Sequence, residues 1–146
     1  MAGYSGTPLP RKLGIAAGHH IGVLRAPSGF SLDELPDTVS CRTSLRGTPL
    51  DVILFFAKAK AEVAREFSAL QKRLTPAGGL WICWPKKASG VSTDLTEDVI
   101  REIGLAHGLV DNKVCAVDET WSGLRFVRRL KDRAPKDHPP KDRARA

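Results

Sequence analysis

The sequence of 146 residues has no apolar run approaching the roughly 18 residues that a membrane-spanning helix needs. Its N-terminus also lacks the charged segment followed by an apolar segment that marks a secretory signal. The three cysteines are odd in number and lie in or beside apolar stretches, and no C-x-x-C or H-x-x-x-H spacing is present to form a zinc site. We therefore expect a cytoplasmic protein with reduced thiols, no bound metal and no membrane association.

The motifs that identify common enzyme classes are missing as well. Neither the G-x-x-x-x-G-K-[ST] phosphate loop nor the G-x-G-x-x-G dinucleotide fingerprint occurs. Residues 120–123 lack the first glycine of a G-x-S-x-G nucleophile elbow. The sequence alone therefore leaves open whether the protein is an enzyme, and it identifies no cofactor, reaction or oligomeric state.

Positive charge is concentrated at one end of the chain. The formal net charge is +7, from 23 Lys and Arg against 16 Asp and Glu. Residues 128–146 hold eight basic and three acidic residues (+5), which leaves 15 basic and 13 acidic residues (+2) for residues 1–127. The end segment has three prolines and few apolar residues, which predicts a disordered basic tail over residues 130–146.

Apolar segments of strand length predict a sheet. We expect strands at residues 21–24, 39–42, 52–56, 80–84, 114–117 and 124–129. After residue 50 they alternate with amphipathic helices, an order that gives a mostly parallel sheet with right-handed crossovers. The sequence thus predicts an α/β fold, a single Rossmann-like domain over residues 12–129 that follows an irregular arm at residues 1–11. The closing strand pair is expected to be antiparallel, with the more polar last strand at an edge.

Helices are predicted from apolar spacing and capping residues. Apolar side chains recur with helical period over residues 58–74, and Pro76 is expected to end that helix. Asp94 and Glu97 are spaced as the capping box of a second helix. A single helical turn is predicted at residues 31–35.

Polar residues are expected at the carboxyl ends of the strands, the edge where a parallel sheet binds its ligands. Lys86 and Lys87, beside small residues and a hydroxyl, suit a phosphate or a carboxylate, or else form a solvated loop. Asp118 suits a ribose, an ammonium group or the role of a base; alternatively it bonds nearby backbone in a turn, with Trp121 covering the sheet end. Together with Ser28, these four residues form the predicted ligand-binding edge.

Several blocks of the chain resemble an uncharacterised bacterial family of unknown function. They are the opening MAGYSGTPL, the KLGI at residues 12–15, and residues 75–90, 93–105 and 108–129. The resemblance covers nearly all of residues 1–129 and implies no established activity.

A looser resemblance, at the level of the fold, is to the second half of Rossmann-like S-adenosylmethionine-dependent methyltransferases. It is carried by the LDVILFF and TPAGGLWICW segments, the helices that follow them and the terminal strand pair. In that family an acidic, Gly-rich loop after the first strand holds the cofactor. This chain has Ala26-Pro27-Ser28-Gly29 at that place.

Three functional hypotheses follow. The leading one is a small cytoplasmic ligand-binding domain for an anionic small molecule, such as a nucleotide or an acyl phosphate, without dinucleotide or methyl-donor fingerprints. The second is a diverged methyltransferase-like transferase. The third is a regulatory or nucleic-acid-associated protein whose basic tail binds nucleic acid weakly and nonspecifically.

Overall fold

The structure, a computed structural model, describes residues 7–133. Residues 1–6 and 134–146, which include much of the predicted arm and tail, lie outside the described residues. The strands are β1 (His20–Leu24), β2 (Ser40–Arg42), β3 (Leu50–Phe56), β4 (Leu74–Pro85), β5 (Leu109–Ala116) and β6 (Trp121–Arg128). The α-helices are α1 (Leu9–Lys12), α2 (Lys60–Lys72) and α3 (Glu97–Ala106). Across residues 7–133, no helix has the length and apolarity of a membrane span.

All the strands belong to one sheet with the order β2-β1-β3-β4-β6-β5. The first four in that order are parallel, whereas β6 is antiparallel to both of its neighbours, β4 and β5. The predicted α/β fold, with a mostly parallel sheet and a closing antiparallel pair, is confirmed. The predicted edge position of the last strand is wrong, since β6 lies between β4 and β5. The arginines of β6 give its sequence the polar character of an edge strand, but Leu124 and Phe126 of the same strand are buried in the core.

One face of the sheet is covered by α2 and α3. Phe67 and Leu70 of α2 and Ile100 and Ile103 of α3 are buried in the same cluster as alternate residues of β3 and β4. This burial follows from the helical spacing of the apolar residues, which places them on one side of each helix. We call this side of the sheet the helical face.

The opposite side, which we call the second face, is covered by α1 and by irregular chain. Leu13 and Ile15, just after α1, are buried against it, and Phe30 and Leu32 pack onto it from the segment between β1 and β2. Trp81 of β4 is fully buried here, and its indole Nε1–H donates to the carbonyl of Leu13 at 3.0 Å. No helix lies between residues 25 and 39 of the described chain.

The structure corrects three predictions of local structure. The expected helical turn at residues 31–35 is absent: this segment has no regular secondary structure, φ of Glu34 is +60°, and Leu32 and Leu35 pack onto the second face. Pro76 does not end a helix but lies within β4, where it follows the first pairing of that strand with β3. The α3 cap is Thr96, whose Oγ1 accepts from Val99 N–H, while Asp94 accepts from the N–H of Lys60 in α2 at 2.7 Å.

The contact between α3 and β6 depends on a glycine. A Cβ atom at Gly104 would lie 2.1 Å from the ring of Phe126, which is fully buried and stacks edge-to-face on Phe67. We predict that Gly104→Ala destabilises the protein by about 1–2 kcal/mol, because overpacking outweighs the gain of about 1 kcal/mol in helix propensity. Urea unfolding measures this change.

Two further variants test the cause of that loss. Leu105→Ala, on the exposed side of the same helix, should change the free energy of unfolding by less than about 0.5 kcal/mol. Phe126→Leu should recover part of the loss when combined with Gly104→Ala, since the two sites are in contact. Strict additivity of the two substitutions would contradict the proposed clash.

Candidate functional site

A cleft of about 640 Å³ opens at the carboxyl ends of β1 and β3, beside the start of β6. Its volume lies within the range of about 300–1,000 Å³ that is usual for small-molecule sites. The lining residues are Arg25, Pro27, Ser28, Phe56, Ala57, Lys58, Glu62, Val91, Thr120 and Trp121. We call it the β1–β3 cleft. It lies where an open α/β sheet binds its ligands.

An ion pair lies at the wall of the β1–β3 cleft. The Arg25 guanidinium donates to the Glu62 carboxylate at 2.8 Å, and both side chains are partly exposed. The guanidinium also lies 5.5 Å from the ring centroid of Phe55. Arg25 is not a glycine, yet its φ is +60°, a conformation that is uncommon for such residues and is concentrated at functional sites.

Carboxylates of the chain itself occupy the N-terminus of α2. Glu62 accepts from the backbone N–H groups of Lys58 and Ala59 at 3.2 and 3.3 Å, and Asp94 accepts from that of Lys60. The Lys58 hydrogen bond is the main cause that holds the pKa of Glu62 below its ordinary value, and Arg25 lowers the pKa further. The N–H groups of Lys58, Ala59 and Lys60, which could otherwise attract an anion to this helix end, are therefore already bound.

Aromatic rings form the apolar side of the β1–β3 cleft. Phe56 stacks edge-to-face on Trp121, with ring centroids 5.2 Å apart, and on Phe30, with centroids 4.9 Å apart. Phe56 and Trp121 are almost fully buried. The electron-rich faces of such rings attract cationic groups, whereas their edges do not.

A second cavity, of about 550 Å³, adjoins the β1–β3 cleft and shares Val91 with it. Trp84 and Leu95 form its apolar lining, and Lys87 and Glu97 are its charged residues. We call it the β4 cavity because it lies at the end of that strand. The shared wall places two sites side by side at one edge of the sheet.

The structure separates the five predicted ligand-binding residues. Ser28 and Trp121 line the β1–β3 cleft, and Lys87 lines the β4 cavity. Lys86 is half-buried, and its backbone N–H donates to the carbonyl of Thr120 at 2.7 Å. Asp118 is held in a turn, where Oδ1 accepts from the N–H groups of Thr120 and Trp121 at 2.8 Å each.

Two residues of the β1–β3 cleft were missed in the sequence. Arg25 directly follows β1, and Glu62 sits at the third position of α2. Glu62 could have been found from its place at the third position of the helix, where an acidic side chain often caps the N-terminus. No sequence pattern near Arg25 indicated that it would contact a residue 37 positions away.

Comparison with solved structures shows the class to which this fold belongs. The chain is 16% identical to an S-adenosylmethionine-dependent methyltransferase from Aquifex aeolicus, with a TM-score of 0.57 over 80% of this chain and 85% of that one. It is 14% identical to magnesium protoporphyrin IX methyltransferase from Synechocystis with bound S-adenosylmethionine, at a TM-score of 0.56 over 77% and 71% of the two chains. The domain therefore has a Rossmann-like methyltransferase fold.

A third similar structure is the fibrillarin pre-rRNA processing protein of Methanococcus jannaschii, at 12% identity and a TM-score of 0.55 over 86% of this chain and 70% of that one. No protein-family model and no curated protein sequence matches the chain. The similarity thus extends to the fold and not to the sequence.

These neighbours overturn the leading functional hypothesis. An anion-binding domain unrelated to methyl donors is wrong, because the similar structures are methyltransferases and include one with bound S-adenosylmethionine. The site agrees with this correction, since the N-terminus of α2 is filled by Glu62 and Asp94. The methyltransferase-like alternative fits these findings better.

The pKa of Glu62 gives a test of the cleft's electrostatics. Since that pKa is lowered, the carboxylate stabilises the fold above the ordinary value of about 4.3, and this contribution is lost as the pH falls through the lowered pKa. We predict that Arg25→Gln raises the pKa of Glu62 only part of the way, because the Lys58 N–H remains. Carboxyl carbon shifts from NMR measure this titration.

Arg65→Gln is the matched control, since Arg65 lies on the same helix and pairs with Glu66 instead. It should leave the pKa of Glu62 unchanged. A return of that pKa to the ordinary value in Arg25→Gln would show that the ion pair, and not the helix N–H groups, determines it.

Proposed function

We propose that the protein is a methyltransferase-like protein that binds S-adenosylmethionine in the β1–β3 cleft. The observation that carries this proposal is the sheet order, with the antiparallel β6 inserted beside β4, in a fold similar to S-adenosylmethionine-dependent methyltransferases. The cleft lies at the carboxyl ends of the strands, where this type of sheet binds nucleotides.

The residues of the cleft fit the chemistry of this cofactor. Arg25 is suited to its carboxylate and Glu62 to its ammonium group, as charge-assisted hydrogen bonds. Trp121, an aromatic residue in the lining, is suited to the sulfonium by a cation–π contact. Ser28 and Thr120 add hydroxyls for the ribose. When the zwitterionic end of the ligand binds, Arg25 and Glu62 would exchange their bond to each other for bonds to its carboxylate and its ammonium group. The net charge of the cleft would stay the same.

The bound cofactor would supply an electrophilic methyl group on its sulfonium. The contribution of this chain is to orient it, since fixing two reactants in contact removes much of the entropic barrier. The β4 cavity is the proposed place of the methyl acceptor, because Val91 is common to both sites. Trp84 and Leu95 would hold the apolar part of the acceptor there.

Two further predictions from the sequence, the family resemblance and the cytoplasmic location, are compatible with this proposal. The resemblance to an uncharacterised bacterial family rests on the sequence blocks given above, and the predicted cytoplasmic location rests on the expected reduced thiols. In the structure Cys83 is buried, Cys115 is half-buried and Cys41 is exposed, and none of the three forms a disulfide. Burial raises the pKa of the Cys83 thiol well above its ordinary value, which keeps it protonated.

Calorimetric titration of the full chain with S-adenosylmethionine and with S-adenosylhomocysteine tests the proposal. We expect saturable binding of one molecule of either ligand. Glu62→Gln should weaken the binding of S-adenosylmethionine about tenfold, equivalent to ~1.4 kcal/mol, because it removes the negative charge that would face the ammonium group. The amide oxygen of glutamine can still accept from the N–H groups of Lys58 and Ala59, so the hydrogen bonds at this helix end are kept.

Glu66→Gln is the control for this substitution, since Glu66 lies on the same helix in an exposed ion pair with Arg65. Its binding should equal that of the unmodified protein. Absence of heat with both ligands at millimolar concentration would refute the proposed function, and equal loss in both variants would place the ligand elsewhere.

A further inference from the structure

The β4 cavity combines an apolar lining with one accessible cation. Trp84, Pro85 and Leu95 are buried and line a space of about 550 Å³. Lys87, which also lines it, is exposed and forms no ion pair within residues 7–133. A cavity of this kind suits a molecule with an apolar body and one negatively charged group.

The turn that carries Lys87 is fixed by hydrogen bonds. The N–H of Lys86 donates to the carbonyl of Thr120 at 2.7 Å. Ser89 Oγ donates to the carbonyl of Lys86 at 2.6 Å and accepts from the N–H of Val91 at 3.2 Å. Lys87 and Val91 therefore belong to one ordered turn. Since Val91 is the residue shared with the β1–β3 cleft, a group bound by Lys87 lies on the side of the β4 cavity that adjoins this cleft.

The segment that follows Val91 is fastened to the start of α2. Thr93 Oγ1 donates to the carbonyl of Lys58 at 2.5 Å, and Asp94 accepts from the N–H of Lys60 at 2.7 Å. Lys58 itself lines the β1–β3 cleft. The wall between the two sites is thus held at both of its ends, which keeps a ligand in one site at a fixed distance from a ligand in the other.

Among the described residues, those that line the two sites offer no free base. They include two carboxylates, Glu62 and Glu97, and no histidine or cysteine. Glu62 accepts from Arg25 and from two backbone N–H groups. Glu97 accepts from Arg101 at 2.5 Å and lies in the first turn of α3, where the helix dipole stabilises its charge. A methyl acceptor that must first lose a proton, such as an alcohol or an alkylammonium ion, would find no group here to take it.

A carboxylate needs no base. It is ionised at neutral pH, since its ordinary pKa is roughly 4, and both of its oxygens carry lone pairs. A lysine ammonium is a compact donor that can bind one of these oxygens and leave the other available. A carboxylate and a sulfonium also lose their opposite charges when the methyl group moves between them. The buried walls of the β4 cavity favour this change, because apolar surroundings solvate separated charges poorly.

We infer that the methyl acceptor is an apolar carboxylic acid, bound in the β4 cavity as its carboxylate, with Lys87 as the residue that selects its charge. This assignment rests on the proposed function, which supplies the methyl group. A carboxylate oxygen forms the new bond to the methyl carbon, and the bond from that carbon to the sulfonium breaks with its electron pair left on sulfur. The products are a methyl ester and a thioether, and no proton is released. The neutral ester has no charge for Lys87 to hold, which favours its release.

Calorimetric titration of the full chain with phenylacetate, with and without S-adenosylhomocysteine, tests the site without turnover. Phenylacetamide is the neutral analogue of the same shape. We expect phenylacetate to bind about fivefold more tightly than the amide, the effect of one exposed charge pair, and added salt to reduce this preference. Equal binding of the two would overturn the inference.

Lys87→Gln should abolish the preference for phenylacetate. Because Lys87 is exposed, its replacement should leave thermal unfolding unchanged. Lys86→Gln is the matched control, since Lys86 is the neighbouring lysine and does not line the β4 cavity. This control should keep the preference. If both variants lose it equally, net charge and not Lys87 is responsible, and the inference fails.

Turnover with S-adenosylmethionine tests the class of acceptor. Mass spectrometry should detect the methyl esters of phenylacetate and octanoate, and no methylated product from phenylethanol or phenethylamine. The value of kcat/KM for phenylacetate should stay constant between about pH 6 and 9, because the acceptor is ionised throughout and no base takes part. Lys87→Gln should raise KM and leave kcat nearly unchanged. Methylation of the alcohol or the amine in preference to the acids would contradict the inference.

These outcomes are distinguishable from those of the proposed function. Saturable binding of S-adenosylmethionine, with no ester formed from either acid, would refute the class of acceptor and leave the cofactor site in place. Absence of binding by both S-adenosylmethionine and S-adenosylhomocysteine would overturn both proposals, even if phenylacetate binds.

Discussion

Burial of β3 and β4 on both faces is the constraint on which the rest of the structure depends. Nearly every residue of β3 and of the second half of β4 is buried, so both faces need an apolar cover. α2 and α3 supply it on one side. On the other, Trp81 is fully buried and its indole N–H binds the carbonyl of Leu13, which fastens the segment after α1 to the sheet. Loss of such a side chain typically costs about 3–5 kcal/mol.

The way in which the second face is covered determines the candidate site. With no helix between residues 25 and 39, the chain leaves β1 through Arg25 at positive φ and crosses the face as irregular chain with turns. Arg25 can then reach Glu62 on α2, and Phe30 can stack on Phe56. A helix after β1 would have presented free N–H groups at this edge. The cleft instead offers a carboxylate, a guanidinium and aromatic rings, a set suited to a ligand that carries charges of both signs.

The sequence predicted the layers of this fold better than its edges. Continuous apolar runs at residues 52–56 and 80–84 are strong signals, since doubly covered strands contain little else. The position of β6 was missed because pairing order is a long-range property: Arg125 is partly buried over two glycines, which no local pattern shows. The same holds for the site. Ser28 and Trp121 were found from topology, whereas Asp118 could not be distinguished from a turn residue without its hydrogen bonds.

The thin cover of the second face also explains why its charge differs from that of the helical face. On the helical face, Arg101 of α3 gathers Glu97, Asp98 and Asp111, because a helix surface brings side chains three and four residues apart together with the adjacent strand. The cover of the second face, α1 and the irregular chain, brings no carboxylate to Lys113 or Arg125 within the described residues. In the described chain no helix lies between β1 and β3, and the irregular segments found there bring no carboxylate to these cations. The same irregular cover therefore accounts both for the contacts that line the β1–β3 cleft and for the absence of ion pairs at Lys113 and Arg125 in the described chain.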